Sequence, residues 1–328
     1  MAINEYEIYN LKHERGSFMQ SLLWSEVKNK WKSETAVVRD SCGNVTAGAQ
    51  ILVRKLPLVP YSFMYIPRGP LWDGENPQSF CELFKKIEAL AKKHRCFCLR
   101  ADPQIDETDT ASIELLKSLG FLHRSDRVGY ENTQCRENYV LFIRGRSQEE
   151  IFGSLRPKCR YNIRLAERKG VECRFYGEEM TEVFYRLLRE TAQRDGFEIR
   201  SREYYERLLR TFGENAKLCI SSKDGEALSA AIYLKYGNRA TYLVGASSNS
   251  HREYMPNYLM QWTMIKQAVS SGVEIYDFGG IPYYYDENHR NFGVYRFKRQ
   301  FSGEIVTYAG EFEYIFSKRF YNLGKHFI

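Results

Sequence analysis

The fold is most clearly marked by Tyr-Asp-Phe-Gly-Gly at residues 276–280, followed by Gly-Val-Tyr-Arg-Phe-Lys-Arg-Gln-Phe-Ser-Gly-Glu at residues 293–304. The first stretch predicts an apolar strand that ends at Asp277 in a glycine turn, where the backbone can approach a bound group closely. The second stretch places Lys298 among aromatic side chains that can exclude water. A cation in such a setting can hold negative charge that develops during a reaction. The alternative is a surface lysine that lies along two aromatic rings.

The same order of elements occurs twice in the chain. A helical apolar stripe within residues 258–269 precedes a strand at 274–276, and an earlier stripe within 80–91 precedes a strand at 96–101 that ends at Asp102. This weak internal duplication predicts two domains of one fold. Strand-like runs ahead of both helices indicate a mixed α/β (α+β) architecture. These runs cover residues 36–38, 49–53, 218–220, 228–236 and 240–244.

Composition restricts the class of protein. The 328 residues include 48 Lys and Arg against 41 Asp and Glu, a net charge of +7 that favours a polyanionic partner. No apolar run approaches the roughly 20 residues that span a bilayer. The first residues lack the basic and apolar segments of a signal peptide, so we expect a cytoplasmic protein. The Cys and His residues do not have metal-ligand spacing, so neither a metal nor another cofactor is expected.

A run of basic residues follows the predicted domain junction near Gly145. Ser147 and Glu150 form a capping-box pattern that predicts the start of a helix. Two interpretations of the cations on this helix stay open: a solvated helix face, or contacts with the phosphates of RNA or of a nucleotide sugar. The cations are Arg156, Lys158, Arg160, Arg164, Arg168 and Lys169.

These motifs, in this order, resemble the FemABX family, the aminoacyl-tRNA-dependent transferases that build the side-chain bridges of peptidoglycan. In that family a strand ending in an Asp-Phe-Gly-Gly-like element precedes a Phe-Lys-x-x-Phe-x-Gly-Glu segment. The resemblance extends over nearly the whole chain. It also includes Gln20-Ser21, Trp24, Val27-Lys28, Trp31, residues 65–70, Asp102-Pro103, residues 160–164 with Ala166 and Gly170-Val171, residues 194–197 with Arg200 and Tyr204, and residues 256–258.

The resemblance implies two tandem domains of the GNAT (acyl-CoA N-acyltransferase-like) fold. We expect the first domain at residues 1–145, completed by a C-terminal helix at 317–328, and the second at 146–316. The coiled-coil arm of some family members is missing, because no sustained heptads follow Arg194. In this respect the chain resembles the compact members of the family, and we expect a monomer.

The acyl donor that the resemblance implies is aminoacyl-tRNA. Acetyl-CoA enzymes of this fold hold the pyrophosphate in a glycine-rich loop at a helix N-terminus. The corresponding residues 247–257 contain no glycine, and residues 73–77 contain one glycine and two acids. The acceptor would be the side-chain amine of the stem peptide in a peptidoglycan precursor. The compact size favours the soluble UDP-linked pentapeptide (UDP-MurNAc-pentapeptide) over the lipid-linked form (lipid II).

Lys298 is the predicted catalytic residue, and Asp102 is a minor candidate for a general base. Asp277 could play the same part as Asp102, but acidic turns after strands are commonly structural. The resemblance assigns substrate binding to further residues. These are Lys28, Trp31, Phe97, Arg200, Tyr204, Tyr242 and Phe297.

Some of these binding residues have simpler interpretations. Lys28 could be a solvated lysine, and Tyr204 continues an apolar stripe with Leu208 and Phe212. Phe97 stands where a family member has a substrate-touching tyrosine, a departure that could loosen the contact or change the acceptor.

Two rival functions also fit the sequence. One is a peptide ligase of the same family that acts in natural-product assembly. The other is a non-catalytic protein that binds RNA or a nucleotide. The intact segment around Lys298 argues against the loss of catalysis.

Overall fold

A computed structural model describes residues 4–324 except Leu58, Glu75 and Val128. The chain divides into two compact units. Unit 1 contains residues 1–137 and 307–328, and unit 2 contains residues 138–306. The division falls between Glu137 and Asn138, ahead of the junction predicted near Gly145, because the strand that begins at Glu137 belongs to the sheet of unit 2.

Unit 1 is built on a mixed sheet with the strand order β1-β2-β3-β5-β14-β6, in which β4 also pairs with β2. The strands are β1 Lys32–Arg39, β2 Val45–Lys55, β3 Ser62–Ile66, β4 Leu71–Trp72, β5 Cys96–Ala101, β6 Leu122–His123 and β14 Phe312–Ile315. The helices are α1 Glu5–Lys12, α2 Leu22–Val27, α3 Pro77–Lys93, α4 Thr110–Ser118 and α11 Lys318–Gly324. The predicted C-terminal helix is thus observed up to Gly324, and residues 325–328 lie outside the described residues.

The predicted stripe within residues 80–91 forms the buried face of α3. Phe80, Leu83, Phe84 and Ile87 are all buried in the core of unit 1. Asn76 caps the helix because its side chain accepts a hydrogen bond from the Ser79 N–H at 3.3 Å. Helix α3 leads into β5, which pairs in parallel with β3. The helix-then-strand prediction for this region is confirmed.

Unit 2 has a second sheet, ordered β13-β7-β12-β11-β10-β9-β8. Strand β10, which pairs with β9 on one side and β11 on the other, is buried along nearly its whole length. The strands are β7 Glu137–Phe142, β8 Glu172–Tyr176, β9 Ala216–Lys223, β10 Glu226–Tyr236, β11 Arg239–Ser247, β12 Ile275–Gly280 and β13 Glu304–Thr307. The helices are α5 Gln148–Ser154, α6 Pro157–Arg168, α7 Thr181–Asp195, α8 Arg202–Phe212, α9 Pro256–Ser270 and α10 Phe292–Lys298.

The prediction of one basic helix after Ser147 was wrong in its extent. The capping box is present, but the helix that it opens, α5, ends at Ser154. Arg156 has an extended backbone (φ −58°, ψ 146°), and Pro157 opens the separate helix α6. A proline restricts the preceding residue to extended conformations but is well accommodated in the first turn of a helix. The cations from Lys158 to Arg168 therefore lie on α6.

In the described part of the chain, no helix combines the length and the apolar composition needed to cross a membrane.

Candidate active site

The side chain of Lys298 is held in the interior of unit 2. Lys298 is the last residue of α10, only 5% of its surface is exposed, and its Nζ donates a hydrogen bond to the Gly280 carbonyl at 2.8 Å. Gly279 has a φ of +74°, and a Cβ atom there would lie 3.8 Å from Lys298 Nζ. The glycine turn that ends β12 therefore allows the backbone to lie close to the ammonium group.

The side chain of Asp277 stabilises this turn through hydrogen bonds. Its carboxylate accepts hydrogen bonds from Arg239 at 2.8 Å and from the Gly279 N–H at 2.7 Å. The Asn138 Nδ2 donates to both carboxylate oxygens, at 3.2 Å each. Asp277 is 4% exposed, and both of its carboxylate oxygens accept hydrogen bonds within the protein. Its role in this arrangement is therefore structural. It locks the end of β12 to β11 and β7.

The strand beside β12 carries Tyr242. Among the described residues, β11 pairs with β12 only from Arg239 to Thr241, so Tyr242 is the first residue past the last pair. Its carbonyl would lie 3.5 Å from a Cβ at Gly279. Burial raises the pKa of the Tyr242 phenol to about 12, an effect partly offset by a hydrogen bond with Gln261, so the group is neutral at physiological pH. The structure thus brings the Tyr242 backbone carbonyl close to Gly279 and Lys298, while the Tyr242 phenol interacts with Gln261.

Phe297 lines a pocket of about 170 Å³ at the N-terminal end of α9. Its ring meets the Tyr258 ring edge to face, with 5.1 Å between centroids. Tyr258 also interacts with Asn162 on α6. Sequence reasoning gave no site role to Tyr258, although residues 256–258 were among the matching motifs. The pocket is lined by Ser247, Ser248, Arg252, Met255, Pro256, Asn257, Tyr258 and Phe297.

The backbone of the loop ahead of α9 donates to a carboxylate on α7. The Asn249 N–H donates to the half-buried Glu190 side chain, and the Ser250 N–H donates to the Ser248 hydroxyl at 3.0 Å. Arg194 also braces the loop by donating to the Ser247 carbonyl at 3.1 Å. These two amides are therefore used within the protein, whereas a pyrophosphate loop would direct its amides at the ligand.

Arg200 and Tyr204 lie at the start of α8 in unit 2. Arg200 is exposed, whereas Tyr204 is half-buried beside the stripe formed by Tyr205, Leu208 and Phe212. Burial raises the pKa of Tyr204 to about 12, and the nearby charge of Arg200 lowers it in part. The two predicted binding residues are thus close to each other, and Tyr204 is not part of the fully buried stripe.

Lys28 and Trp31 are neighbours in unit 1. The Trp31 N–H donates to the Lys28 carbonyl at 2.8 Å, just past the end of α2. Lys28 Nζ lies 4.8 Å from the centroid of the Trp24 ring, and the Arg54 guanidinium lies 5.1 Å from that of Trp31. This part of unit 1 combines cations with aromatic faces.

The other two predicted residues of unit 1, Phe97 and Asp102, are each only 1% exposed. Phe97 lies within β5. Asp102 accepts hydrogen bonds from the Tyr65 hydroxyl at 2.7 Å and from the Arg68 N–H. Burial raises the pKa of Asp102 from 3.8 to about 6, although the Arg68 charge opposes this effect. No cluster of potential metal ligands occurs among the described residues of either unit.

Comparison with known proteins places the chain in a family. The profile of the FemAB family matches residues 1–227 and 221–327. The chain belongs to the FemAB family. It is 25% identical to a lipid II:glycine glycyltransferase of Staphylococcus aureus, in an alignment that covers 97% of this chain and 93% of that protein. Family membership and this similarity identify the chain as a transferase.

Solved structures show the same fold. A crystal structure of FemX is 26% identical with a TM-score of 0.91, and 98% of each chain is covered. A tandem GNAT protein from the clavulanic acid biosynthesis pathway is 13% identical with a TM-score of 0.54, over 87% of this chain and 83% of that one. The predicted fold of two tandem GNAT-like domains is confirmed.

Proposed function

We propose that this FemAB protein transfers an amino acid from aminoacyl-tRNA to the side-chain amine of the stem peptide in a peptidoglycan precursor. The name of the Staphylococcus aureus relative, a lipid II:glycine glycyltransferase, supports an acceptor of this class. The observation that carries the proposal is the buried Lys298, which is held at the glycine turn by its bond to Gly280.

Lys298 has the properties that acyl transfer from an ester requires. Attack of the acceptor amine on the aminoacyl ester places negative charge on the carbonyl oxygen and then on the departing ribose 3′ oxygen. The ammonium group of Lys298 stabilises this charge. Because Lys298 is buried and fixed, its interaction with the charge is strong and needs little reorganisation during the reaction.

The donor side of the proposal rests on the loop ahead of α9 and on the aromatic pocket beside it. Glu190 accepts from the Asn249 N–H, and its negative charge opposes binding of a coenzyme A pyrophosphate there. Phe297 and Tyr258 present aromatic rings to the pocket, and nucleic-acid bases stack on such rings. We assign this pocket to the 3′-terminal nucleotide of the tRNA. The ester is already activated, so the reaction needs neither ATP nor another cofactor.

On the acceptor side, Lys28 and Arg200 are proposed to meet phosphates of the precursor, and Trp31, Tyr204 and Tyr242 to contact its sugar or peptide. The soluble UDP-linked pentapeptide is the preferred acceptor. Asp102 stays a candidate base, and its pKa of about 6 leaves it mostly ionised at pH 7. We also propose that the protein is a monomer in the cytoplasm.

One experiment tests the proposal directly. Purified protein is incubated with individual charged tRNAs and with either the UDP-linked pentapeptide or its lipid-linked form, and the acceptor is analysed by mass spectrometry. We expect the acceptor to gain the mass of one or more aminoacyl residues. Prior treatment of the donor with ribonuclease should prevent this gain. Transfer of an acetyl group from acetyl-CoA, or no transfer from any charged tRNA, would contradict the proposal.

A further inference from the structure

Helix α6 has one buried face and one strongly basic face. Cys159, Asn162, Ile163 and Ala166 point into unit 2, whereas most of the cations are exposed. Tyr161 is also exposed, with 57% of its surface accessible. We call the exposed side the basic face. Its cations are Arg156, Lys158, Arg160, Arg164, Arg168 and Lys169.

The charge of the basic face is not neutralised by ion pairs. Within the described ranges of the chain, none of its six cations lies within 4.0 Å of a carboxylate oxygen. Glu149 and Glu167 are the acids that line the depression beside Arg160 and Arg164. A protein surface that leaves so many cations without carboxylate partners attracts an extended polyanion.

The basic face begins next to the candidate active site. The Arg156 N–H donates to the Gln300 carbonyl at 3.2 Å, two residues beyond Lys298. Asn162 interacts with Tyr258, which lines the aromatic pocket. Helix α6 has 12 residues, so it extends about 18 Å from this point.

We propose that the basic face binds the phosphate backbone of the base-paired stem that adjoins the 3′ end of the donor tRNA. This inference rests on the proposed function, because it assigns a second contact surface to the same donor. The pyrophosphate of a nucleotide sugar offers only two phosphates and would leave most of the six cations without a partner. A double-stranded stem presents phosphates along the full length of the helix, and proteins bind such stems mainly through shape and backbone contacts.

The test compares two donors that carry the same amino acid. One is full-length charged tRNA, and the other is a short single-stranded oligonucleotide with the same 3′ end. The variant Arg164→Gln/Arg168→Gln removes two charges from the basic face. The control Arg174→Gln/Arg210→Gln removes two exposed charges that are paired with Glu172 and Glu178 at 2.8 and 2.9 Å.

For the α6 variant, we expect kcat/KM with full-length tRNA to fall roughly ten-fold at 0.1 M salt, because two phosphate contacts are lost. Activity with the short donor should not change, and neither should either activity of the control. An equal loss with both donors, or a change in the KM of the UDP-linked acceptor instead, would overturn the proposal.

Direct binding separates this inference from the proposed function. The affinity for an uncharged RNA hairpin with a single-stranded 3′ end should decrease in the α6 variant, and the slope of log K against log salt should decrease by about one to two. Lys158→Gln/Lys169→Gln tests the same surface at two further exposed cations. If hairpin binding is the same in both variants and the wild type, the inference fails even where transfer activity is present. If no donor is active but the variants still lose hairpin affinity, only the proposed function fails.

Discussion

Units 1 and 2 share a local design, a helix followed by a parallel strand with a buried aspartate, Asp102 just after β5 and Asp277 within β12. The partners of the two aspartates differ. Asp277 is bound by the Arg239 guanidinium and by two N–H-bearing groups. Asp102 is bound by a phenol and a backbone N–H, and burial raises its pKa to about 6. In unit 2 the Arg239 guanidinium bonds directly to the buried carboxylate, whereas in unit 1 the Arg68 charge offsets the cost of burying Asp102 only in part.

The residues that follow the two aspartates differ as well. Gly279 and Gly280 follow Asp277 closely and bring the backbone next to Lys298. Pro103 follows Asp102. The comparison indicates that one local design carries different residues in the two units and that the predicted catalytic lysine belongs to unit 2.

The largest effect is expected for Lys298→Met. This change removes the charge but keeps much of the apolar length, so kcat should fall about 10²–10³-fold while both KM values change little. Steady-state kinetics with charged tRNA and the precursor measure this. Lys235→Met, on β10, is the control and should retain activity. Near-normal kcat in a folded Lys298→Met protein would show that unit 2 does not supply the catalytic cation.

The two aspartates should respond differently to the same substitution. Asp277→Asn leaves Arg239 without its carboxylate partner and should lower the free energy of unfolding by about 3 kcal/mol. Asp102→Asn should cost less than about 1 kcal/mol at pH 8, because the amide can bond with both the Tyr65 hydroxyl and the Arg68 N–H and carries no charge of its own. Urea unfolding followed by circular dichroism measures both values.

The pH dependence of Asp102 has a definite sign. In the folded protein the carboxyl group of Asp102 stays protonated up to about pH 6, whereas in the unfolded chain it loses its proton near pH 3.8. The stabilisation is therefore present below about pH 4 and is lost as pH rises to 6, by up to roughly 3 kcal/mol. Asp102→Asn should remove this component. Equal losses for both asparagine variants at pH 8 would contradict the comparison, and a large fall in kcat for Asp102→Asn alone would support its role as a base.

The smallest effect concerns the glycine turn. Gly279→Ala and Gly272→Ala both place a side chain at positive φ, +74° and +68°, so each should cost about 1–2 kcal/mol of stability. Only a Cβ at Gly279 has near neighbours, Tyr242 O and Lys298 Nζ, whereas one at Gly272 meets no atom within 4 Å. The two variants should therefore show similar decreases in Tm, and only Gly279→Ala should lower kcat. An unchanged kcat would show that the turn does not position Lys298.

Sequence patterns predicted those parts of the fold that depend on local periodicity. The stripes of α3 and α9 and the strands β5 and β10 were found because apolar spacing reports burial directly. The break between α5 and α6 was missed, although Pro157 is a visible signal for it. The partners of Asp277 could not be predicted, because Arg239 and Asn138 are 38 and 139 residues away in the chain. The same holds for the burial of Asp102, which depends on Tyr65 and Arg68.

Strand β14 imposes an order on synthesis and folding. It lies between β5 and β6 in the sheet of unit 1, yet its residues follow all of unit 2 in the chain. Glu313 on this strand accepts hydrogen bonds from Arg100 and Arg124, so these arginines lack that carboxylate until β14 has left the ribosome. Unit 2 can therefore fold during translation. The sheet of unit 1 stays incomplete, with unpaired strand edges, until β14 is synthesised some 170 residues after the N-terminal part of that unit.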